Sequence, residues 1–544
     1  MRLMFRPAVL VLTALAVMMT ACGGRQADSG RVLRIGAGTE PHTLDPHLAT
    51  GHNEHRIMTS LFEGLTNLNQ TTLDVEPGMA ESWEVSEDGL TYTFHLRNDA
   101  RWSNGDLVTA HDFVYGWKRH LTPLLASQYS YMLWIVKNAE AYNKEQITDF
   151  TEVGVRALDD FTLEVELEHP APYFLSSQIH FAWWPVHRPT IEAHGGIGDR
   201  NSKWIEAGNM VSNGPYKLVK WEPNAILRVE PNPYYYDAEL IDLEAVEFFP
   251  IEDLSTEERE FRAGRLHVTN SFPMTMTNWY RENRPEVLNI DPAVGTYFYR
   301  FNVERAPFDD VRVRRAFAMA IDKASIVQHV AYGVVGETKA LTPAGLAGYT
   351  PEAGIPYDPD AAKALLAEAG YPNGQGLPTV EILFNTSEDH RRIAEAIQQM
   401  WGNTLGARVE TSNQDWKVYL SNMERLNYHV CRSAWFADFL DPINFLEMFV
   451  TGGGNNRTGW SNAEYDDLIA RARRAVTMSE RFALYQQAEA LLLEEAPIAP
   501  IYAYTHRHLI DPRVTGMAPN LQGYLNYRYI SLAHNGGPGA MAEQ

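Results

Sequence analysis

The sequence predicts a multidomain α/β protein, and three observations carry that expectation. Its 544 residues imply three or four folding units at about 150 residues each. Runs with a two-residue hydrophobic period alternate along the chain with runs of helical period. Composition is globular, with 45% hydrophobic and 21% charged residues, and a chain this long buries roughly 75% of the surface its unfolded form exposes.

The net charge is −23 at pH 7, and the acidic excess is spread along the chain. Such a field repels nucleic acid and anionic lipid, so no nucleic-acid partner is expected. There are two cysteines, Cys22 and Cys431. Residues 1–21 read as an export signal: Arg2 and Arg6 form the basic end, residues 8–19 are uncharged and apolar, and Met19-Thr20-Ala21-Cys22 follows. That ending resembles the bacterial lipoprotein signal, with Met19 where leucine is usual. It makes Cys22 the expected lipidation site. The apolar run falls short of the roughly 20 residues a membrane span needs, so the expected membrane attachment is through lipid alone. Acylation of Cys22 leaves Cys431 without an intramolecular partner. Residues 22–30, with Gly, Gln, Asp and Ser, read as a flexible tether.

Residues 31–37 form a first strand on Val32, Leu33 and Ile35. His42, His47, His52 and His55 then fall within fourteen residues. Their spacings of five, five and three match no zinc pattern, and the expected reading is a polar loop without metal. Leu90, Tyr92, Phe94 and Leu96 alternate with polar residues, as in a half-buried strand. Asn104-Gly105 is a turn signal. Thr109 and Asp112 have capping-box spacing, and Val108 and Phe113 are placed for a hydrophobic staple, so a helix should run from Thr109 through Trp117. Asp309 or Asp310 should cap a helix with apolar positions at Val313, Phe317, Ala320, Ile321 and Val327. Asp358-Pro359 opens another helix, which Gly370 closes.

The stretch YHVCRSAWFADFLDP, residues 428–442, is the most chemically loaded. It starts as a strand ending near Trp435 and closes on Asp441-Pro442, an N-cap with proline at the first helical position. Arg432, Trp435 and Asp438 lie between. The cation and anion could hold a ligand carrying both charges, or pair with each other. Cys431 reads as a small buried apolar residue. Catalytic patterns are not found: no Gly-x-Ser-x-Gly, no His-Glu-x-x-His and no phosphate loop.

Several motifs in order carry a family resemblance. They are AESWEVSEDGLTYTFHLRNDARWSNGDLVTAHDFVYGWKR (residues 80–119), VSNGPYKL (211–218), PNPYYY (231–236), APFDDVRVRRA (306–316) and LLAEAGYPNG (365–374). With them the chain resembles the extracytoplasmic solute-binding proteins, family 5, of peptide ABC transporters, from about residue 32 to about residue 530. The resemblance implies a two-lobed periplasmic binding protein fold of the large peptide-binding class (type II), with a ligand cleft between the lobes and an additional third domain. Lobe I would combine residues 31–64, 189–294 and 506–535. The additional domain would be 65–188, lobe II 295–505, and 536–544 a disordered tail.

By the same resemblance the protein is a monomeric, lipid-anchored binding component in the periplasm or on the outer face of the cell envelope. It delivers short peptides to a membrane permease and needs no cofactor. Asp438 would take the ligand's α-ammonium, Arg432 a peptide carboxylate and Trp435 a side chain. His390 would lie near the carboxylate of a longer peptide. Trp416, Tyr129 and Tyr504 would line the site. A dipeptide, a cell-wall peptide or a chelated metal are alternative solutes. A secreted hydrolase or a sensory lipoprotein are alternatives of another class. There are departures from the family pattern. A glutamate falls at Thr50. A lysine falls at Ala331, with His329 nearby, and an arginine at Met423, with Arg425 close. A ligand-facing tyrosine falls at Phe298. The two family cysteines fall at Gly295 and Phe436, so that disulfide is missing.

Overall fold

A computed structural model describes residues 30–475 and 477–533. The expected export signal, Cys22, all of the tether except Gly30, and the tail 536–544 lie outside the described residues. Among the described residues, no helix is long and apolar enough to cross a membrane.

Three sheets organise the chain. The first has the order Val32–Gly36, Ala245–Phe249, Ile226–Pro231, Tyr216–Glu222, with its first pair parallel and the rest antiparallel. The second has six strands, in the order Gly336–Glu337, Ile498–Leu509, Leu288–Phe301, Val430–Phe436, Val380–Asn385, Val409–Gln414. Its last three strands run parallel. The third is antiparallel, in the order Ala80–Val85, Thr91–Leu96, Thr162–Glu166, Val155–Asp159.

Two strands join the first sheet to the second. Leu288–Phe301 and Ile498–Leu509 pair antiparallel from Leu288↔Leu509 to Arg300↔Ile498. At one end they meet the first sheet: Thr269 N–H donates to Leu509 O at 3.0 Å, and Val268 bridges Ile510 on one side and Ile35 on the other. At the other end they are central strands of the second sheet. Between, the register shifts from Pro292↔Thr505 to Thr296↔Ala503. Proline cannot donate to a ladder, so a bulge at this point follows from the sequence.

Local patterns explain the packing. In Thr91–Leu96 the inward positions Tyr92, Phe94 and Leu96 are buried, as the two-residue period predicts. They pack toward Phe174, whose ring lies 4.8 Å from that of Tyr92. The helix Ala110–Leu121 begins where expected. Asp112 Oδ2 accepts from the Thr109 backbone N–H at 2.8 Å and from its hydroxyl at 3.0 Å. The helix runs one turn past Trp117, with Phe113, Trp117 and Leu121 buried on one face. In the second lobe, Glu388–Leu405 buries Ile393, Ile397, Trp401 and Leu405, and Trp401 Nε1 donates to Phe317 O at 2.8 Å.

Of the two capping candidates it is Asp310 that caps Val311–Met319, accepting from Arg312 N–H at 2.8 Å. Other expectations are corrected. That helix stops at Met319. Asp322 then accepts from Ser325 N–H at 2.9 Å and starts a separate short helix, so the apolar period that runs on to Val327 spans a break. Asp441 does supply a cap, accepting from Ile443 N–H at 3.0 Å. Pro442, however, is the N-cap residue of Ile443–Leu446 and not its first helical residue.

The histidine-rich segment is a loop only up to residue 51, with His42 exposed. His47 is buried, and its Nε2 meets Trp184 O at 3.1 Å. His52 and His55 lie on the helix His52–Met58. Asp45 and His47 grip Arg119 of the helix Ala110–Leu121. Arg119 donates to Asp45 Oδ1 at 2.8 Å and Oδ2 at 2.6 Å and meets His47 Nδ1 at 3.0 Å, while Trp204 Nε1 donates to Asp45 Oδ2 at 3.1 Å. Burial opposes the Asp45 charge, but Arg119 outweighs it and holds the carboxyl at about 2.

Removing one partner of this bidentate pair leaves a buried charge uncompensated. Arg119→Met should cost about 3–5 kcal/mol in chemical denaturation, and the double change Asp45→Asn/Arg119→Met markedly less. A second expectation concerns Glu489, which accepts from Leu341 N–H at 3.0 Å, Thr342 N–H at 2.8 Å and the Tyr349 hydroxyl at 2.9 Å. Burial pushes its carboxyl from 4.5 up to about 7. The folded state therefore binds this proton more tightly than the unfolded state. The resulting stability is full below the unfolded value and is lost as pH rises through about 7, a span of about 3 kcal/mol. Urea midpoints measured across this range should show a flatter pH dependence for Glu489→Gln.

Candidate functional site

The strand Val430–Phe436, the turn that follows it and the facing first-sheet segments enclose a cavity of ≈ 430 Å³, within the range of small-ligand sites. All seven residues expected at a site line it: Tyr129, His390, Trp416, Arg432, Trp435, Asp438 and Tyr504. They come from five separate chain segments.

Arg432 and Asp438 do not pair with each other. Arg432 lies over the Tyr297 ring at 4.9 Å, donates to the Tyr504 hydroxyl at 2.6 Å and reaches Asn385 Oδ1 at 3.3 Å. Its Nε has no hydrogen-bond partner. The guanidinium is buried yet meets neutral groups, so it is oriented without being neutralised. Tyr504 therefore serves first to hold Arg432. His390 sits in the first turn of Glu388–Leu405, its ring 5.6 Å from that of Tyr297 and its Nδ1 unpartnered. Burial, together with Arg432 and Arg507, holds its imidazole well below the usual range, and hence neutral. Trp416 opens the helix Trp416–Glu424 and stacks on Tyr419 at 5.7 Å. The Tyr419 hydroxyl donates to Arg432 O.

Asp438 follows the strand and is built in from several sides. Its backbone N–H donates to Asn444 Oδ1 at 3.0 Å, and Asn444 Nδ2 reaches its Oδ2 at 3.3 Å. Trp435 Nε1 donates to the same Asn444 oxygen at 2.9 Å, so one asparagine orients both residues. On the far side His180 Nε2 stands 3.3 Å from Asp438 Oδ1. His180 Nδ1 accepts from Ala182 N–H at 3.2 Å, which leaves Nε2 as the ring nitrogen facing the carboxylate. Tyr129 completes this wall, its ring 4.7 Å from His180 and 6.3 Å from Trp435.

Sequence reasoning missed His180, Asn444 and Asn385. None sits in a local motif, and His180 lies in an apolar run, residues 179–186, that reads as core. Phe298 is a correction of another kind: it is fully buried and packs on Phe449, while Tyr297 on the neighbouring position meets Arg432. Thr50 and Met423 both line the cavity, and Ala331 is buried in the core. Cys431 is buried, and burial pushes its thiol up to about 12, as suits a core residue.

Two lobes joined by crossing strands around an enclosed, charged cavity define a solute-binding protein. The chain belongs to the bacterial extracellular solute-binding proteins, family 5, whose middle region matches residues 74–457. It is 34% identical to the oligopeptide-binding protein OppA of Bacillus subtilis, over 96% of this chain and 98% of that one. Among solved structures it is similar to the murein tripeptide binding protein MppA of Escherichia coli, with a TM-score of 0.88 and 35% identity over 93% of this chain and 99% of that one. The Haemophilus influenzae OppA complex with the peptide RPPGFSPFR gives 0.87 and 32%, over 93% and 100%. The unliganded open form of MppA, at 34% identity over 93% and 98%, gives 0.64. The described chain is thus more similar overall to the peptide complex than to the open form.

Gly295 and Phe436 are direct cross-strand partners. The Phe436 ring lies over Gly295, where a Cβ would stand 2.6 Å from it. Gly295→Cys/Phe436→Cys should form a disulfide on oxidation, with loss of two titratable thiols and about 2–4 kcal/mol of added stability. Two persistent thiols would refute this register.

Proposed function

We propose that the protein is the lipid-anchored receptor of a peptide ABC transporter, binding short peptides outside the cytoplasm as a monomer and passing them to a membrane permease. The observation that carries this reading is the separation of Asp438 and Arg432: a carboxylate and a guanidinium line one cavity, each held by neutral partners, and neither cancels the other. A peptide offers a complementary ammonium and carboxylate. The strand segment between them, Ser433 to Ala437, lines the same cavity and suits pairing with an extended backbone. The names of the relatives support this reading, since they are oligopeptide-, dipeptide- and murein peptide-binding proteins.

In this reading Asp438 takes the α-ammonium, with His180 and Asn444 fixing the carboxylate. Arg432 takes a carboxylate, and His390, being neutral, adds a hydrogen bond. Trp416, Trp435 and Tyr129 line side-chain space. The lobes close by bending at the crossing strands. The three sheets support the division into 31–64 with 189–294 and 506–535, 65–188, and 295–505. Acylation of Cys22 would supply the anchor. The role is that of a binding protein and not of a catalyst.

Native mass spectrometry of the purified protein should reveal co-purified small peptides. Asp438→Ala should weaken tripeptide binding by roughly tenfold to a hundredfold, as loss of a charge-assisted hydrogen bond implies. N-acetylated peptides should bind weakly to both forms. Unchanged tripeptide affinity in the variant would overturn the ammonium assignment.

A further inference from the structure

Gln128 bridges two parts of the molecule through its side chain. It lies on the loop after the helix Ala110–Leu121, in the region of the third sheet. Its amide reaches two residues mounted on the second sheet. Nε2 donates to Glu424 Oε1 at 2.7 Å, and Oε1 accepts from Arg457 Nη2. Arg457 and Glu424 themselves stand 3.5 Å apart. One neutral amide thus meets both members of an ion pair, its N–H facing the carboxylate and its oxygen the guanidinium.

Both ends of this bridge are seated by further bonds. On one side Arg200 Nη1 donates to Leu125 O at 2.7 Å and to Ala126 O at 2.8 Å, tying the Gln128 loop to the region 189–294. On the other, Glu424 ends the helix Trp416–Glu424, where Tyr419 donates to Arg432 O. Just beyond it Asn302 Nδ2 donates to Leu426 O at 2.7 Å. The Tyr428 hydroxyl donates to Arg457 O, and Val303 N–H donates to Thr458 O at 2.9 Å. The bridge stands at the edge of the cavity, which Tyr129, Met423 and Arg457 line and Gln128 does not. The two sides approach closely here. A Cβ on Gly454 would stand 2.8 Å from Gln128 O, and Asn455 Nδ2 reaches the Tyr131 hydroxyl at 3.3 Å.

We propose that Gln128, with Glu424 and Arg457, is a clasp that fastens the closed lobes over a bound peptide and so sets how long the peptide stays. The inference rests on the peptide reading and the lobe closure given above. A side-chain bridge between regions that part on opening is broken in the open form and remade on closure. Its two charge-assisted hydrogen bonds form after the peptide has been engaged. Their loss therefore speeds release and leaves association unchanged. Gln128 is a positioning residue in this sense, acting on the lobes and not on the ligand.

The test is stopped-flow tryptophan fluorescence with tri-, tetra- and penta-alanine as probes. The observed rate against peptide concentration gives kon as its slope and koff as its intercept. Gln128→Ala should raise koff by about tenfold or more, with kon within about twofold of wild type. Glu424→Ala should raise koff as well. The double variant should release no faster than the faster single one, because both changes break the same bridge. Gln128 and Glu424 are both partly exposed, so neither change opens the core. An unchanged koff in Gln128→Ala would overturn the clasp. So would additive effects of the two changes, or a fall in kon that accounts for the lost affinity. Each of these results leaves the peptide reading intact. Failure of all three peptides to bind wild type would overturn both.

Discussion

The ladder between Leu288–Phe301 and Ile498–Leu509 constrains everything else. It is a covalently continuous, hydrogen-bonded connection between the first sheet and the second. One buried cluster runs through the first and third sheets into part of the second lobe, and another fills the rest of that lobe. The bulge between Pro292 and Thr296 places the irregularity between the two sheets, where a change of angle breaks few bonds. Tyr504, on the ladder, packs against Phe436 of the neighbouring strand at 4.6 Å, so side chains that shape the cavity stand beside this irregularity.

The cavity's electrostatics follow a simple logic within an acidic chain. Some charged side chains around it are paired inside the protein, as Arg507 is with Asp389. Asp438 and Arg432 are instead oriented by neutral groups: Asn444 for Asp438, Tyr504 and Asn385 for Arg432. Neutral partners fix geometry while leaving the charge available to a ligand. The Asp45–Arg119 pair, which is bidentate and buried, shows the contrasting case of charges spent on each other.

Much of the fold was legible because its signals are local. The period of residues 90–96, the cap at Thr109 and the cap at Asp358 each predict an element that is present. Errors arose where local signals are silent about tertiary context. The apolar run after Asp310 keeps helical spacing across a break at residue 320, because each helix is packed on the same core. His42 to His55 read as polar, yet His47 is needed inside to meet Arg119. At the site, the triplet Arg432, Trp435 and Asp438 stood out as one compact motif. Its supports could not be seen, since His180 and Asn385 come from distant segments and carry no signature. Nor could spacing decide whether Arg432 and Asp438 would pair, because that depends on the turn after the strand.

The ring of Phe436 over Gly295 has a consequence for biogenesis. The family resemblance places cysteines at these two positions, whereas here the strands are joined by their antiparallel ladder and by packing. Cys431, two turns of the pleat away, is buried with its thiol strongly disfavoured for ionisation. The central ladder of the second lobe is thus indifferent to redox poise. Its formation needs no oxidant, and a reducing environment does not weaken it.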